Sequence, residues 1–421
     1  MSLFTVFAIV ITLTAIFSYL NEVYIKLPGS IGIMLASLIS SIVFIVLSFI
    51  GFGHTQWATD LIIAADFDHL FMNGMLSFLL FAAASRVDIG KLREYKWTIA
   101  YLATVGIVIS SLFIGFSMHW LLAKLGVNLP IVYAILFGAI ISPIDAVVVI
   151  RILKRVDAGN TMETILTGES LFNDAAAVVL FVLLLKIASG GTSMSGLEIG
   201  EFFLREALGG LLVGLILGYT AHFMIVRIIY EGSDNHIVII LITLALVSGG
   251  YALAQLLGVS GPLTSVIAGL FLARSRKDAI GIKHKHSRYV RDFWEVIDEA
   301  LNAVLFVLIG LEVLVLNFEI TYIIGCVFVI PLIIVARYIS VEFPLVFLRF
   351  FRSIPSLKGL IMTWSGIRGG VSIALALSLP DDSPRDIILV LTYVVVVFSI
   401  LIQGLTLGPA VKWYKDKTSI D

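Results

Sequence analysis

The feature that most constrains this chain is a succession of apolar runs, nearly all long enough to cross a bilayer, with little sequence between them. A hydrocarbon core roughly 30 Å thick takes about 17 to 25 helical residues to cross. Thirteen runs present themselves, at about residues 3–20, 30–53, 69–85, 97–123, 130–150, 162–188, 206–226, 236–258, 260–273, 293–316, 320–348, 356–380 and 386–411. In lipid every backbone N–H and C=O must be bonded internally, so a span is a helix or a strand of a closed barrel. The runs lack the apolar–polar alternation of a barrel wall. The chain therefore reads as an all-α polytopic membrane protein, one membrane domain over residues 1–421. Composition agrees, with 59% hydrophobic and 14% charged residues.

The Lys and Arg residues alternate with the spans. With the N-terminus outside, 22 of the 28 fall in inner segments, including Arg86, Lys91, Arg151, Lys154, Arg155 and Arg291, and 4 fall in outer ones. That asymmetry puts the C-terminus in the cytoplasm of a multi-pass cell-membrane protein. A net charge of -1 gives no attraction to nucleic acid. The single Cys326 can form no internal disulfide, the seven histidines show no ligand spacing, and nothing in the chain asks for a cofactor.

Ionisable groups at bilayer depth cost about 2.5 to 3.5 kcal/mol or more each, so they are functional candidates by default. The deep ones are Asp145, Glu169, Asp174, Arg337 and Arg368, whereas Glu295, Asp298 and Glu299 open the tenth span and read as interfacial. In the sixth span Glu169, Asn173, Ser170 and Asp174 fall at about 0°, 40°, 100° and 140° on a helical wheel, one polar stripe from which Leu171 and Phe172 point away. The fifth span holds Ser142-Pro143-Ile144-Asp145, where Pro143 removes an amide donor and breaks the helix. The twelfth holds Gly366-Ile367-Arg368-Gly369-Gly370, whose glycines favour unwound backbone. Paired interrupted helices in corresponding halves mark a transporter's binding site. Spans 1–6 and 8–13 would form inverted repeats, with span 7 as linker.

Ser142-Pro143-Ile144-Asp145, Gly168-Glu169-Ser170-Leu171-Phe172-Asn173-Asp174, Ala336-Arg337 and Gly366-Ile367-Arg368-Gly369 together resemble the monovalent cation/proton antiporters of the NhaP type, relatives of the animal sodium/proton exchangers. The resemblance implies a homodimer of thirteen-helix protomers with two interrupted, crossing helices, spans 5 and 12. A core bundle of spans 4–6 (97–188) and 11–13 (320–411) would move against a dimerisation bundle of spans 1–3 (3–85) and 7–10 (206–316). It implies that Asp174 binds sodium or a proton, with Ser170 and the Ile144 carbonyl as further ligands. Asn173 and Asp145 become the polar pair near the crossing, Glu169 and Arg337 a structural ion pair, and Pro143, Gly366, Arg368 and Gly369 supports of the broken helices. The chain departs from the commoner pattern at Ile144, where Thr is frequent, at Ala146, where Pro is frequent, and at Ala82, where some relatives carry an acid.

Proton and cation then compete for Asp174, and the core crosses only when the site is occupied, because an empty carboxylate is costly to occlude. Asn173 cannot titrate and Asp145 at a broken-helix N-terminus reads as a fixed charge, so exchange is one for one and electroneutral. Potassium or lithium in place of sodium, and a cation or proton channel, are the competing readings. An intramembrane aspartyl protease does not fit, since Asp145 follows Ile144 and Asp174 follows Asn173 where that chemistry resembles Tyr-Asp and Gly-x-Gly-Asp.

Overall fold

The computed structural model describes residues 3–50, 70–156, 159–189, 195–231, 235–279, 284–316, 319–349, 359–380 and 383–418. Among these there is no strand. The helices are α1 (Leu3–Leu20), α2 (Gly29–Phe49), α3 (Leu76–Arg86), α4 (Ile89–Glu94), α5 (Lys96–Tyr101), α6 (Ile107–Lys124), α7 (Ile131–Ile141), α8 (Ala146–Arg155) and α9 (Asn160–Ala188). They continue as α10 (Gly196–Tyr230), α11 (His236–Leu257), α12 (Gly261–Ala279), α13 (His284–Glu312), α14 (Ile320–Arg349), α15 (Gly359–Trp364), α16 (Gly370–Leu377), α17 (Arg385–Phe398) and α18 (Gly404–Thr418). Single π-helical turns at Leu102–Gly106 and Ser399–Gln403 carry α5 into α6 and α17 into α18 without a break.

Nine helical stretches among the described residues are long and apolar enough to cross a membrane, and Leu76–Arg86 and Gly261–Arg274 are shorter apolar helices. The N-terminal half of α13 carries Arg288, Arg291, Asp292, Glu295, Asp298 and Glu299 before the helix turns apolar at Leu301. Part of the 30–53 and 356–380 runs lies outside the described residues.

Helices in lipid gain little from burying apolar surface against each other and associate through close packing of small residues and through interhelical hydrogen bonds. Here Gly210, Gly214 and Gly218 form a smooth strip along α10 that receives Ser260 and, on α12, Thr264, Ile267 and Phe271. The Thr264 hydroxyl donates to the Gly210 carbonyl at 3.0 Å. On α13 Gly310 lets α2 approach, with Ser41 donating to the Gly310 carbonyl at 2.9 Å. In the same way Gly115 and Gly138 bring α6 and α7 to backbone contact, at Ile135 and Ser111. One large apolar cluster joins α1, α2, α6–α9 and α13–α18, and a smaller one around Trp294 gathers residues of α3 and α10–α13.

A Cβ on Gly214 would sit 2.9 Å from the Thr264 carbonyl oxygen, whereas among the described residues nothing beyond its immediate neighbours in α11 comes within 4 Å of one on Gly249. Gly214→Leu should therefore cost about 1 to 3 kcal/mol through overpacking, seen as a lowered Tm in detergent. Gly249→Leu should leave Tm within a degree or two of the parent.

Candidate functional site

The fifth run is interrupted where proline predicts. Helix α7 stops at Ile141, Ser142–Asp145 is non-helical, and α8 begins at Ala146. The twelfth run breaks in the same manner between Trp364 and Gly370. The two breaks touch: the Asp145 amide donates to the Ile367 carbonyl at 2.7 Å. Arg368, fully buried, donates through Nη1 to the carbonyls of Ser142 and Pro143, the latter at 3.1 Å. These are carbonyls that the end of α7 leaves without helical partners.

Glycines in the second break serve space. None of Gly366, Gly369 and Gly370 has a positive φ. A Cβ on Gly366 would lie 3.0 Å from Arg337 Nε, one on Gly369 would run into the Asp145 carboxylate, and one on Gly370 into Leu305. The break is thus glycine-rich because charged side chains and α13 lie against its backbone, which composition alone does not tell.

Asp145 caps α8, its carboxylate accepting from the Val147 amide at 2.9 Å. Ser170 on α9 accepts from the Ala146 amide at 3.2 Å. That bond needs an N–H at position 146, which proline lacks, so the departure at Ala146 ties α8 to α9. Ile144 is buried in the same break. A cavity of about 950 Å³ runs between α3, α8, α9, α13 and the start of α16, and Pro143, Ile144, Asp145, Ser170, Asp174 and Gly369 line its deep end. Among the described residues Asp174 receives no hydrogen bond from the protein.

The predicted polar stripe of the sixth span divides in the fold. Ser170 and Asp174 face the cavity together with Glu163, Thr164, Thr167 and Leu171. Glu169 and Asn173 are buried on the other side, away from the cavity wall. The 140° sector is real, but the cavity takes one edge of it and α14 the other, and Leu171 faces the cavity against expectation. Asn173 is accordingly not a cavity residue, and its Oδ1 is buried without a hydrogen-bond partner. Glu169 meets Arg337 of α14 in a two-pronged pair, Nη1 to Oε1 and Nη2 to Oε2, the second at 3.0 Å. Both side chains are buried.

Sequence reading missed the opposite wall. Asp298 of α13, expected at the interface, is buried, pairs with Arg86 of α3 and accepts from Asn302 at 3.2 Å. Towards the open end Arg151 faces Glu299 at 3.8 Å and Lys154 faces Glu163 at 3.2 Å. The i, i+4 spacing of Asp298 and Asn302 was the available signal. Ala82 packs in the Trp294 cluster and not on the cavity, where the α3 residues are Leu76, Leu79, Leu80, Ala83 and Arg86.

Two helix breaks are thus bonded to each other beside a carboxylate-lined cavity. Residues 8–413 match the family described as sodium/hydrogen exchanger, transmembrane. The chain belongs to the sodium/hydrogen exchanger family. It is 41% identical to the Na(+)/H(+) antiporter NhaP of Pseudomonas aeruginosa, over 96% of this chain and 95% of that protein. It is 34% identical to the Na(+)/H(+) antiporter NhaH of Halobacillus aidingensis, again over 96% and 95%. The fold matches the sodium proton antiporter MjNhaP1 from Methanocaldococcus jannaschii with a TM-score of 0.75, 22% identity and 96% coverage of each chain. This exchanger-family chain is a helical multi-pass membrane protein, a transporter and not an enzyme.

Removing one partner of a buried ion pair strands the other charge, at roughly 3 to 5 kcal/mol. Glu169→Ala and Arg337→Ala should each lower thermal stability by that order, measured by unfolding in detergent. The shared loss makes the double variant cost much less than the two singles added together.

Proposed function

We propose that this chain is a sodium/proton antiporter that exchanges one cation for one proton at Asp174 by alternating access. The single observation that carries the reading is the cavity whose deep end brings Asp174, Ser170 and the Ile144–Asp145 break together. Sodium prefers hard oxygen ligands, and a carboxylate, a hydroxyl and a carbonyl of an unwound segment are that set. The relatives named above are Na(+)/H(+) antiporters, which favours sodium over potassium or lithium.

In this reading Asp174 is the carboxylate that changes partners, since among the described residues nothing holds it, while Asp145 stays engaged as the cap of α8. Asn173 carries no proton. One positive charge then moves each way per cycle. Thirteen spans in two inverted repeats, with α7–α8 and α15–α16 as the crossing interrupted helices, give the moving core, spans 4–6 and 11–13. Spans 1–3 and 7–10 make the static bundle of a homodimer, and the cluster around Trp294 gives that bundle part of its cohesion. The cavity's open end carries Arg86, Lys91, Arg151, Lys154, Arg155 and Arg291, the residues that the charge count assigns to the cytoplasm. The conformation is then inward-facing, with the N-terminus outside.

Asp174→Asn should abolish sodium-driven proton movement in proteoliposomes while the protein still folds and keeps its oligomeric state on size exclusion; robust exchange by that variant rejects the assignment. Clamping vesicles at zero and at about -100 mV tests stoichiometry, because one net charge would feel roughly 2.3 kcal/mol. The equilibrium sodium gradient should be the same at both voltages, and a shift would make Asp145 a second proton carrier.

A further inference from the structure

Val147, Ile150, Arg151 and Lys154 of α8 all line the cavity, at the spacing of one helix face. The stripe begins at Asp145, and the six residues from there to Arg151 span about 9 Å of helix rise. A cation travelling from the open end to the carboxylates passes a guanidinium. For two charges about that far apart, the interaction alters cation occupancy by roughly twofold in bulk water and roughly twentyfold at an effective dielectric of about 20.

Of the four paired cations on the cavity wall, Arg291 meets its chain neighbour Asp292 at 3.2 Å, and the other three are held differently. Arg86 is bound to buried Asp298, itself fixed by Asn302, which donates to its carbonyl at 2.8 Å and to its carboxylate. Lys154 is matched by Glu163 on the neighbouring α9 at 3.2 Å. Arg151 has its counter-charge across the cavity, on α13, at 3.8 Å, too long for a hydrogen bond, and both side chains reach solvent at 35% and 61% exposure. Among the described residues it is the one ion pair that links the helix capped by Asp145 to α13.

We propose that Arg151 sets cation access to the carboxylate site: a positive charge on the path, partly neutralised by Glu299 from the opposite wall, that weakens apparent sodium affinity and does so more strongly when Glu299 is absent. The proposal rests on the reading of Asp174 as the exchange site. Arg151 touches neither the bound ion nor the proton; it acts on affinity through its field, which the field of Glu299 opposes.

The test measures sodium-driven proton flux against sodium concentration in proteoliposomes of the parent, Arg151→Gln, Glu299→Gln and the double variant. Both single changes are at solvent-reaching positions, so folding is spared. Arg151→Gln should lower KM for sodium about three- to tenfold and Glu299→Gln should raise it by a similar factor. The double variant should lie between the two singles and near the parent value, because the opposing fields of the two side chains superpose and both are removed. In each case kcat should move less than KM. An impermeant, untransported salt should shrink the shifts by screening. Lys154→Gln, farther from the site and matched by Glu163, should move KM less than Arg151→Gln. Unchanged KM in both single variants, or shifts of the same sign, overturns the access role while leaving the antiporter reading intact so long as exchange still depends on Asp174. Exchange that persists in Asp174→Asn overturns the antiporter site and this inference with it.

Discussion

Two helices cannot stop in the middle of a bilayer unless something supplies hydrogen bonds to the backbone groups they release, and the rest of this structure depends on how that is done. The ends are bonded to each other. The Asp145 amide takes the Ile367 carbonyl, and Arg368 donates back to the carbonyls of Ser142 and Pro143. An unpaired peptide group in an apolar medium costs several kcal/mol, so this reciprocal arrangement is what makes the breaks tenable. It also fixes where the polar atoms lie. Asp145 is held at the start of α8, Ser170 is drawn to the Ala146 amide, and Asp174 is left facing the cavity.

The Glu169–Arg337 pair belongs to the same assembly. Gly366 leaves the room that Arg337 occupies, and Arg337 in turn anchors α14 to α9 behind the cavity wall. Two carboxylates of one helix, five residues apart, thus have opposite fates. Glu169 is neutralised by a fixed guanidinium, whereas among the described residues no basic group pairs with Asp174. The balanced charge ties two helices together, and the other is the carboxylate proposed to exchange ions.

Much of this was legible in the chain because hydrocarbon is an unforgiving solvent. Spans declare themselves by length, Pro143 declares its break, and intramembrane charges stand out by their cost. What was not legible was which side of a helix its neighbours occupy. The wheel grouped Glu169, Ser170, Asn173 and Asp174 correctly by angle, yet the cavity edge falls through the middle of that group. Asp298 looked interfacial because it sits near other acids at the head of α13, yet it is buried and paired with Arg86 from a distant span. The glycines of the second break looked like a source of unusual backbone angles, and they turn out to make way for Arg337, Asp145 and Leu305.

The Ala146–Ser170 bond has a consequence in counting electron pairs. A serine hydroxyl carries two lone pairs and one hydrogen. The Ala146 amide occupies one of those pairs. Ser170 therefore comes to the cavity with a single pair to offer, aimed wherever the start of α8 holds it, and a proline at position 146 would give the second pair back.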